Sequence, residues 1–377
     1  GAVNLGTIAN TGAMTYTGSQ GVDTLTTGIA AAATLQTFNL GTGDDKITVS
    51  VPNGTGQQAI NSEAGNDTIT LAGAMLTGQT LNIDGGAGTD TLSTAGAATA
   101  SFIDVLANIE NINVLTTGLT TYGVAPGYAD TVTLTQIAAG THAFILNSTG
   151  SASLANYTVV GTAAATSLTG TTGADTLTGQ SLATTISGLA GADTITSGAG
   201  ASVIIGGTGA DSITLGAANA VNDTVQIANG DTTSTISGTG NAGTISGYDT
   251  VTNFLLNGDI VDFTTQNGAV STVTAGNGTD STLIIGGSAV ATHTVVGGLF
   301  SFVLASTSAA TITDNASLAA VVQYVNLLDL GAAGDSIAFI GTIGGTAHTW
   351  VYSQTTANAS STYELIDLVG VTATGNG

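Results

Sequence analysis

The chain has 377 residues, 55 of them glycine, with aromatic residues at 5% and no cysteine. That composition excludes a disulfide scaffold and thiolate metal sites, and it suits thin layered coils better than the bulky core of a typical enzyme. Twenty-four acidic side chains against a single basic one, Lys46, give a formal charge of −23, which excludes nucleic acid as a partner on electrostatic grounds.

Disorder does not follow from the charge, because hydrophobic residues reach 42% and the acids sit at fixed points within apolar, β-branched runs. Short segments rich in Thr, Val and Ile, bounded by turn residues, predict an all-β chain. In residues 1–100 the segments GVDTL, GDDKI, GNDTI and GTDTL place Asp23, Asp45, Asp67 and Asp90 at spacings of 22, 22 and 23. DGGAGTDTL, from Asp84 through Gly88 and Asp90, fits G-G-x-G-x-D-x-apolar in full. GDDKI carries its turn glycine at Gly43, whereas Glu63 stands where a glycine is expected before Gly65. This region reads as an N-terminal calcium-binding β-solenoid.

Apolar residues Phe102, Val105, Leu106 and Ile109 recur at helical intervals and predict a short capping helix over 101–111. From 112 to 167 the runs TVTL, HAFIL and YTVV alternate without acidic turns, with a loop marked by Tyr122, Pro126 and Tyr128. Residues 101–167 therefore read as a connector of β-sandwich-like strands. Within 168–247, GTTGADTL, GLAGADTI and IIGGTGADSI place Asp175, Asp193 and Asp211 eighteen residues apart. Eighteen residues are two nonapeptides, the length of one turn of a parallel β-roll. Residues 248–377 read as a β-rich cap. In it, Val251, Phe254, Leu255, Ile260, Val261 and Phe263 are expected to close the open end of the roll. NASLAAVVQYVNLL at 315–328 predicts a helix with Asp314, Asn315 and Ser317 as available N-caps. The fold class is thus all-β, with parallel β-roll or β-solenoid segments and a short C-terminal helix.

Each acidic turn has a physical rationale. Glycines permit a tight reversal with positive φ, and the aspartate supplies a hard anionic oxygen. The next alternate residue points inward, so Leu177, Ile195 and Ile213 are expected to stack as an interior ladder. Aspartates stacked coil on coil repel one another unless a cation cancels the charge, and oxygen-only donors favour Ca²⁺ over a transition metal. The expected ligands are Asp175, Asp193 and Asp211 with carbonyls of Gly173, Gly191 and Gly209. In the first region they are Asp23, Asp45, Asp67, Asp84 and Asp90 with Gly43 and Gly88, and in the cap Asp249 and Asp259. The opposite edge, nine residues out of phase, holds Thr184, Ser202 and Ala220, so calcium is expected on one edge only.

Plain Gly-Asp turns between strands would explain one such motif, but not seven in two regular series. His142, His293 and His348 form no H-x-x-x-H pair and read as solvated or strand-face histidines. No G-x-S-x-G elbow occurs, and the glutamates Glu63, Glu110 and Glu364 offer no glycosidase pair. Thr-x-Thr pairs such as Thr176 and Thr178 suit an ice-binding array, but Thr is also an ordinary strand residue. An enzyme is not expected, and neither is membrane insertion, since no run of about eighteen apolar residues is present. The chain opens at Gly1 without a basic, hydrophobic leader, which predicts that an N-terminal portion is absent or removed in maturation.

The full motifs GGAGTDTL and GGTGADSI, with the segment DTVTNFLLNGDIVDF, resemble the repeats-in-toxin (RTX) family of calcium-binding secreted bacterial proteins. The Thr/Ala/Gly richness and the segments TLNIDGGAGTDTL and ANIENINVL are similar to RTX surface-layer proteins. The resemblance implies export by a type I secretion system through an uncleaved C-terminal signal, here ELIDLVGVTATGNG, and folding on meeting extracellular calcium. It implies a self-assembling S-layer lattice or filament at the cell surface, whose partners are copies of itself and cell-surface polysaccharide. The alternatives are an adhesin or biofilm-matrix protein, and the secretion half of an RTX hydrolase.

Overall fold

The computed structural model describes residues 1–7, 13–28, 35–50, 56–72, 80–94, 101–109, 111–114, 118–124, 131–136, 142–148, 158–160, 167–170, 172–179, 183–216, 221–232, 234–238, 243–263, 284–285, 288–304, 309–326, 330, 332–356 and 363–373. The chain divides into two compact units, Gly1–Leu189 and Ala190–Gly377. The described residues are almost entirely β, with one α-helix, Asn315–Val325.

In the first unit successive strands alternate between two parallel sheets. One sheet runs through Thr24–Gly28, Lys46–Ser50, Thr68–Leu71 and Thr91–Thr94, with Thr24 opposite Lys46, Lys46 opposite Thr68 and Thr68 opposite Thr91. The other runs through Met14–Thr17, Leu35–Asn39, Gln57–Asn61 and Thr80–Asp84. The register makes the interior a stack of like residues. Leu25, Ile47, Ile69 and Leu92 form one buried column, and Phe38, Ile60 and Ile83 form another on the facing sheet. A coil of this kind has one apolar face per strand and cannot bury it alone, so stacking on its neighbours is what stabilises it. Beside that second column the register places a buried polar pair, Gln36 and Gln58, in line with Leu81, in which Gln58 Nε2 donates to Gln36 Oε1 at 2.9 Å. Outside, Asn61 Nδ2 donates to Asn39 Oδ1 of the preceding coil at 2.8 Å.

The predicted capping helix over 101–111 is replaced by a strand, Ser101–Ala107. It pairs in parallel with Thr80–Asp84 on one side and Gly118–Val124 on the other. Helical periodicity is a local preference, and a parallel ladder on both edges overrides it. Strands of the expected connector likewise carry the two sheets onward. Asn111–Val114 lies between Thr91–Thr94 and Thr131–Gln136, all parallel. Thr158–Val160 then pairs with Thr176–Thr178, and Ser167–Thr169 with Thr185–Ala190, each at a spacing of 18 residues. Tyr122, expected to mark a loop, lies instead in the strand Gly118–Val124, where parallel pairing with His142–Ser148 claims its backbone; Pro126 and Tyr128 of the same expected loop, and Glu110, lie outside the described residues.

The second unit opens with the same two-sheet coil. Ile195, Ile213 and Val251 stack on one sheet, and Ile204 and Val225 on the other. The residues expected to close the coil do so only in part. Val251 is buried, but Leu255 is 38% exposed and Ile260 52% exposed. Closure on the first sheet comes instead from Tyr363–Val369, which pairs in parallel with Asp249–Thr252. Beyond it the sheet turns antiparallel through Thr346–Gln354 and Ser336–Ile343. The helix packs Leu318, Val321, Val322 and Val325 into the same core as Phe300, Phe339, Trp350 and Tyr352. Its N-cap is Asp314, whose carboxylate accepts from Ser317 N at 2.7 Å in a capping box.

Among the described residues four non-glycines take positive φ: Asn108 at 50°, Asn253 at 64° and, at turn positions that other coils fill with glycine, Glu63 at 73° and Leu189 at 79°. The equivalent places in other coils are Gly41, Gly86 and Gly207, also at positive φ. A side chain in this region costs about 1–2 kcal/mol, which stacking of the adjoining strands has absorbed. Leu189 is 43% exposed and gives up little packing, so Leu189→Gly is expected to raise stability by about 0.5–1 kcal/mol, read as a higher urea midpoint. A lower midpoint would show that the leucine is held there by packing.

Candidate metal centre

The acidic residues of the first unit form a ladder along one edge. Asp23 N donates to Asp45 Oδ1 at 2.6 Å, Asp45 N to Asp67 Oδ1 at 2.7 Å, and Asp67 N to Asp90 Oδ1 at 2.7 Å. The carbonyls return the pairing one residue later, since Lys46 N donates to Asp23 O at 2.9 Å and Thr68 N to Asp45 O at 2.8 Å. Each rung therefore ties both ends of an aspartate peptide to the following coil. The second unit repeats this, with Asp193 N on Asp211 Oδ1 and Asp211 N on Asp249 Oδ1, both at 2.8 Å.

Glycine makes the close approach possible. Gly65 and Gly88 have φ near 144°, and a Cβ on Gly65 would meet the carbonyl of Gly43 in the coil before, as a Cβ on Gly88 would meet that of Gly65. Gly209 stands in the same relation to Gly191. Gly43 N donates to Ala64 O at 2.8 Å and Gly191 N to Thr208 O at 2.8 Å, so the turn loops hydrogen-bond to each other as well. Five residues before the acid, Gly18, Gly85, Gly170 and Gly206 lie against Oδ2 of Asp23, Asp90, Asp175 and Asp211. Any side chain there would push the carboxylate out of the turn.

With Oδ1 held by a backbone N–H, the second oxygen defines the chemistry. Oδ2 of Asp45, Asp67, Asp211 and Asp249 is buried and has no hydrogen-bond partner in the described structure. An unpaired buried carboxylate oxygen is costly. Burial pushes Asp67 and Asp211 up to about 6, and burial with the nearby Asp211 charge pushes Asp249 up to about 9. Asp23 differs: the Gly1 amino group at 2.8 Å and the Ser19 amide hold it down at about 2. A hard cation bound by the second oxygens satisfies them, and the donor set of carboxylate plus backbone carbonyl oxygens fits Ca²⁺. No three acidic or imidazole side chains converge as a ready-made cage among the described residues, so carbonyls of the turns must complete the coordination.

The other sequence-predicted residues fall in different places. Asp175 is buried in the first unit beneath Gly170, and Gly173 lies in the same turn. Asp84 lies at the end of its strand, where Oδ1 accepts from Asn108 Nδ2 at 2.6 Å and Gly86 N at 3.1 Å. Asp259 lies on the opposite edge, and there the sequence reading missed a residue. Ser202 N donates to Asp223 Oδ1 at 2.7 Å, and Asp223 N to Asp259 Oδ1 at 2.9 Å. The rung after Ser202 is thus Asp223 rather than Ala220, which lies outside the described residues, because Val203 pairs with Thr224 across 21 residues instead of 18. The signal was present, since Asn222-Asp223-Thr-Val matches Asn66-Asp67-Thr-Ile. This second ladder satisfies itself. Asp223 Oδ2 accepts from Ser197 Oγ at 3.0 Å and Asp259 Oδ2 from Leu255 N at 2.8 Å. The histidines are not uniformly solvated: His293 is buried and stacked on Phe300, and His348 Nδ1 lies 2.9 Å from both oxygens of Asp367.

Residues 160–181 and 185–220 match the family model described as the RTX calcium-binding nonapeptide repeat, in four copies. No curated protein and no solved structure gives a significant match. Proteins with these repeats bind Ca²⁺ and are typically secreted, and no helix among the described residues is long and apolar enough to cross a membrane. The matched repeats, together with the stacked turns that leave buried carboxylate oxygens in want of a cation, give this chain calcium-binding repeats of the RTX type.

Proposed function

We propose that the chain is a non-enzymatic, calcium-stabilised structural protein of the bacterial exterior that assembles with copies of itself into a surface layer or filament. The observation that supports this most is how the acids are employed. In both units the aspartate Oδ1 atoms already bind the backbone of the adjacent coil, so these carboxylates hold the fold rather than face a substrate. Export through the C-terminal segment ELIDLVGVTATGNG belongs to the same reading, and the start of that segment, residues 364–369, lies in the largely buried strand Tyr363–Val369. Acids beyond the ladders then remain for calcium bridges between copies, because a charge of −23 leaves copies repelling one another without a divalent ion. Electron microscopy and size-exclusion chromatography of the protein with calcium and with EGTA provide the test. Sheets or fibres that form with calcium and dissolve with chelator are expected. Monodisperse single chains at every calcium concentration would overturn the assembly role and favour an adhesive stalk.

A further inference from the structure

The acid ladder of the second unit does not end as it begins. At the Asp193 coil both closing bonds come from the next repeat, Gly191 N to Thr208 O and Asp193 N to Asp211 Oδ1, each at 2.8 Å. One coil later the same two positions are served by separate segments. Gly209 N donates to Asp231 O at 3.2 Å, whereas Asp211 N donates to Asp249 Oδ1 at 2.8 Å. Between Asp231 and Asp249 lies a small antiparallel hairpin, Thr235–Ser237 with Thr244–Ser246. The loop that covers Asp211 is therefore a composite of two pieces.

Both pieces are fixed by one strand. Tyr363–Val369 pairs with the strand that starts at Asp249, and its Glu364 holds the other piece. The Glu364 carboxylate accepts from Gly230 N at 2.6 Å, Thr232 N at 2.8 Å and Thr232 Oγ1 at 3.0 Å, while Leu365 N donates to Thr232 Oγ1 at 3.0 Å. Glu364 is 1% exposed and its two oxygens are taken by these donors, which makes it an organiser of the turn rather than a ligand.

We propose that the last calcium site of the ladder lies between Asp211 and Asp249 and draws carbonyl oxygens from the composite loop through Asp231, and that Glu364 is the positioning residue that assembles it. This rests on the calcium reading of the ladder. Oδ2 of Asp211 and of Asp249 is buried without a hydrogen-bond partner on either side of this junction, and the Asp231 charge acts on both. The chain's only lysine, Lys46, belongs to the other unit, so no basic side chain of the second unit other than a histidine is present to neutralise three buried acids. Carbonyls of the composite loop complete the donor set, as they do between ordinary coils.

The test is calcium titration calorimetry on the full chain, together with hydrogen exchange over residues 228–232 and 249–252. Glu364→Gln replaces an acceptor oxygen by an amide facing N–H donors. It is expected to abolish one calcium per chain or to weaken it by about tenfold or more, with protection lost at 230–232 and the remaining ions unchanged. Ser234→Ala removes the 2.6 Å bond to Tyr363 Oη on the same strand and is expected to retain every ion. An unchanged count and affinity in Glu364→Gln overturns the inference, and so does loss of the same ion in Ser234→Ala. If Glu364→Gln unfolds the cap, Thr232→Val, which removes one donor, must still weaken that one ion, and full affinity there is equally fatal. Absence of any calcium binding by the wild-type chain would instead sink the calcium reading itself.

Discussion

Acidifying the calcium-free protein from about pH 7.5 to about pH 5 is expected to stabilise it, while the same change in saturating calcium destabilises it. The sign follows from the ladder. Asp67 and Asp211 move up to about 6, and Asp249 to about 9, from the ordinary aspartate value of 3.8, chiefly because their carboxylates are buried. A carboxyl whose pKa is raised in the folded state binds its proton more tightly there than in the unfolded chain. Its contribution is fully present below the unfolded value and is lost as pH rises through the folded one. Without calcium, stability therefore falls between about pH 4 and pH 6 through Asp67 and Asp211, and further toward pH 9 through Asp249. Calcium reverses the slope, because it binds the ionised form and competes with protons. Urea midpoints measured with EGTA and with calcium should converge near the acid end of this window and separate above it. Parallel curves, or a calcium-free protein that loosens on acidification, would show that the second oxygens are not the sites of ion binding.

At Asp211 a pair of variants separates the two jobs of one carboxylate. Asp211→Ala removes the acceptor for Asp193 N, leaving a buried N–H unpaired, and is expected to cost about 1–3 kcal/mol with or without calcium. Asp211→Asn retains an oxygen for that bond and removes the buried charge. In EGTA at neutral pH it is expected to match or exceed the wild type, by up to about 1 kcal/mol after the buried amide is allowed for. In calcium it should lag, because the ion loses its anionic donor. Denaturant titration of both variants under both conditions tests this. Equal losses for Asn and Ala in EGTA would mean that Asp211 carries no buried-charge penalty.

Much of the site was legible in the sequence because its geometry is repetitive. The spacing of Asp45, Asp67 and Asp90 is the coil length itself, and the register of Ile47, Ile69 and Leu92 follows directly from it. The helix was legible for a different reason: Asp314 and the apolar set Leu318, Val321, Val322 and Val325 satisfy cap and period together. What was hidden depended on partners distant in sequence. Ser101–Ala107 has a helical pattern, yet strands on both sides claim its backbone. Asp223 was missed because the coil leading to it is longer than eighteen residues, so counting by eighteen steps past it. Glu364 reads as an ordinary strand glutamate until the turn some 132 residues earlier is brought against it.

The hairpin between Asp231 and Asp249 shows how forgiving the architecture is. Asp211 and Asp249 are 38 residues apart in sequence, and their rung is as short as that between Asp193 and Asp211, which are 18 apart. Extra sequence has been spliced into one corner with no penalty in the stacking on either side. The pitch of the repeats is thus set by the rungs and not by the length of chain between them, so an insertion between two rungs is an architectural freedom that a repeat of fixed length would not suggest.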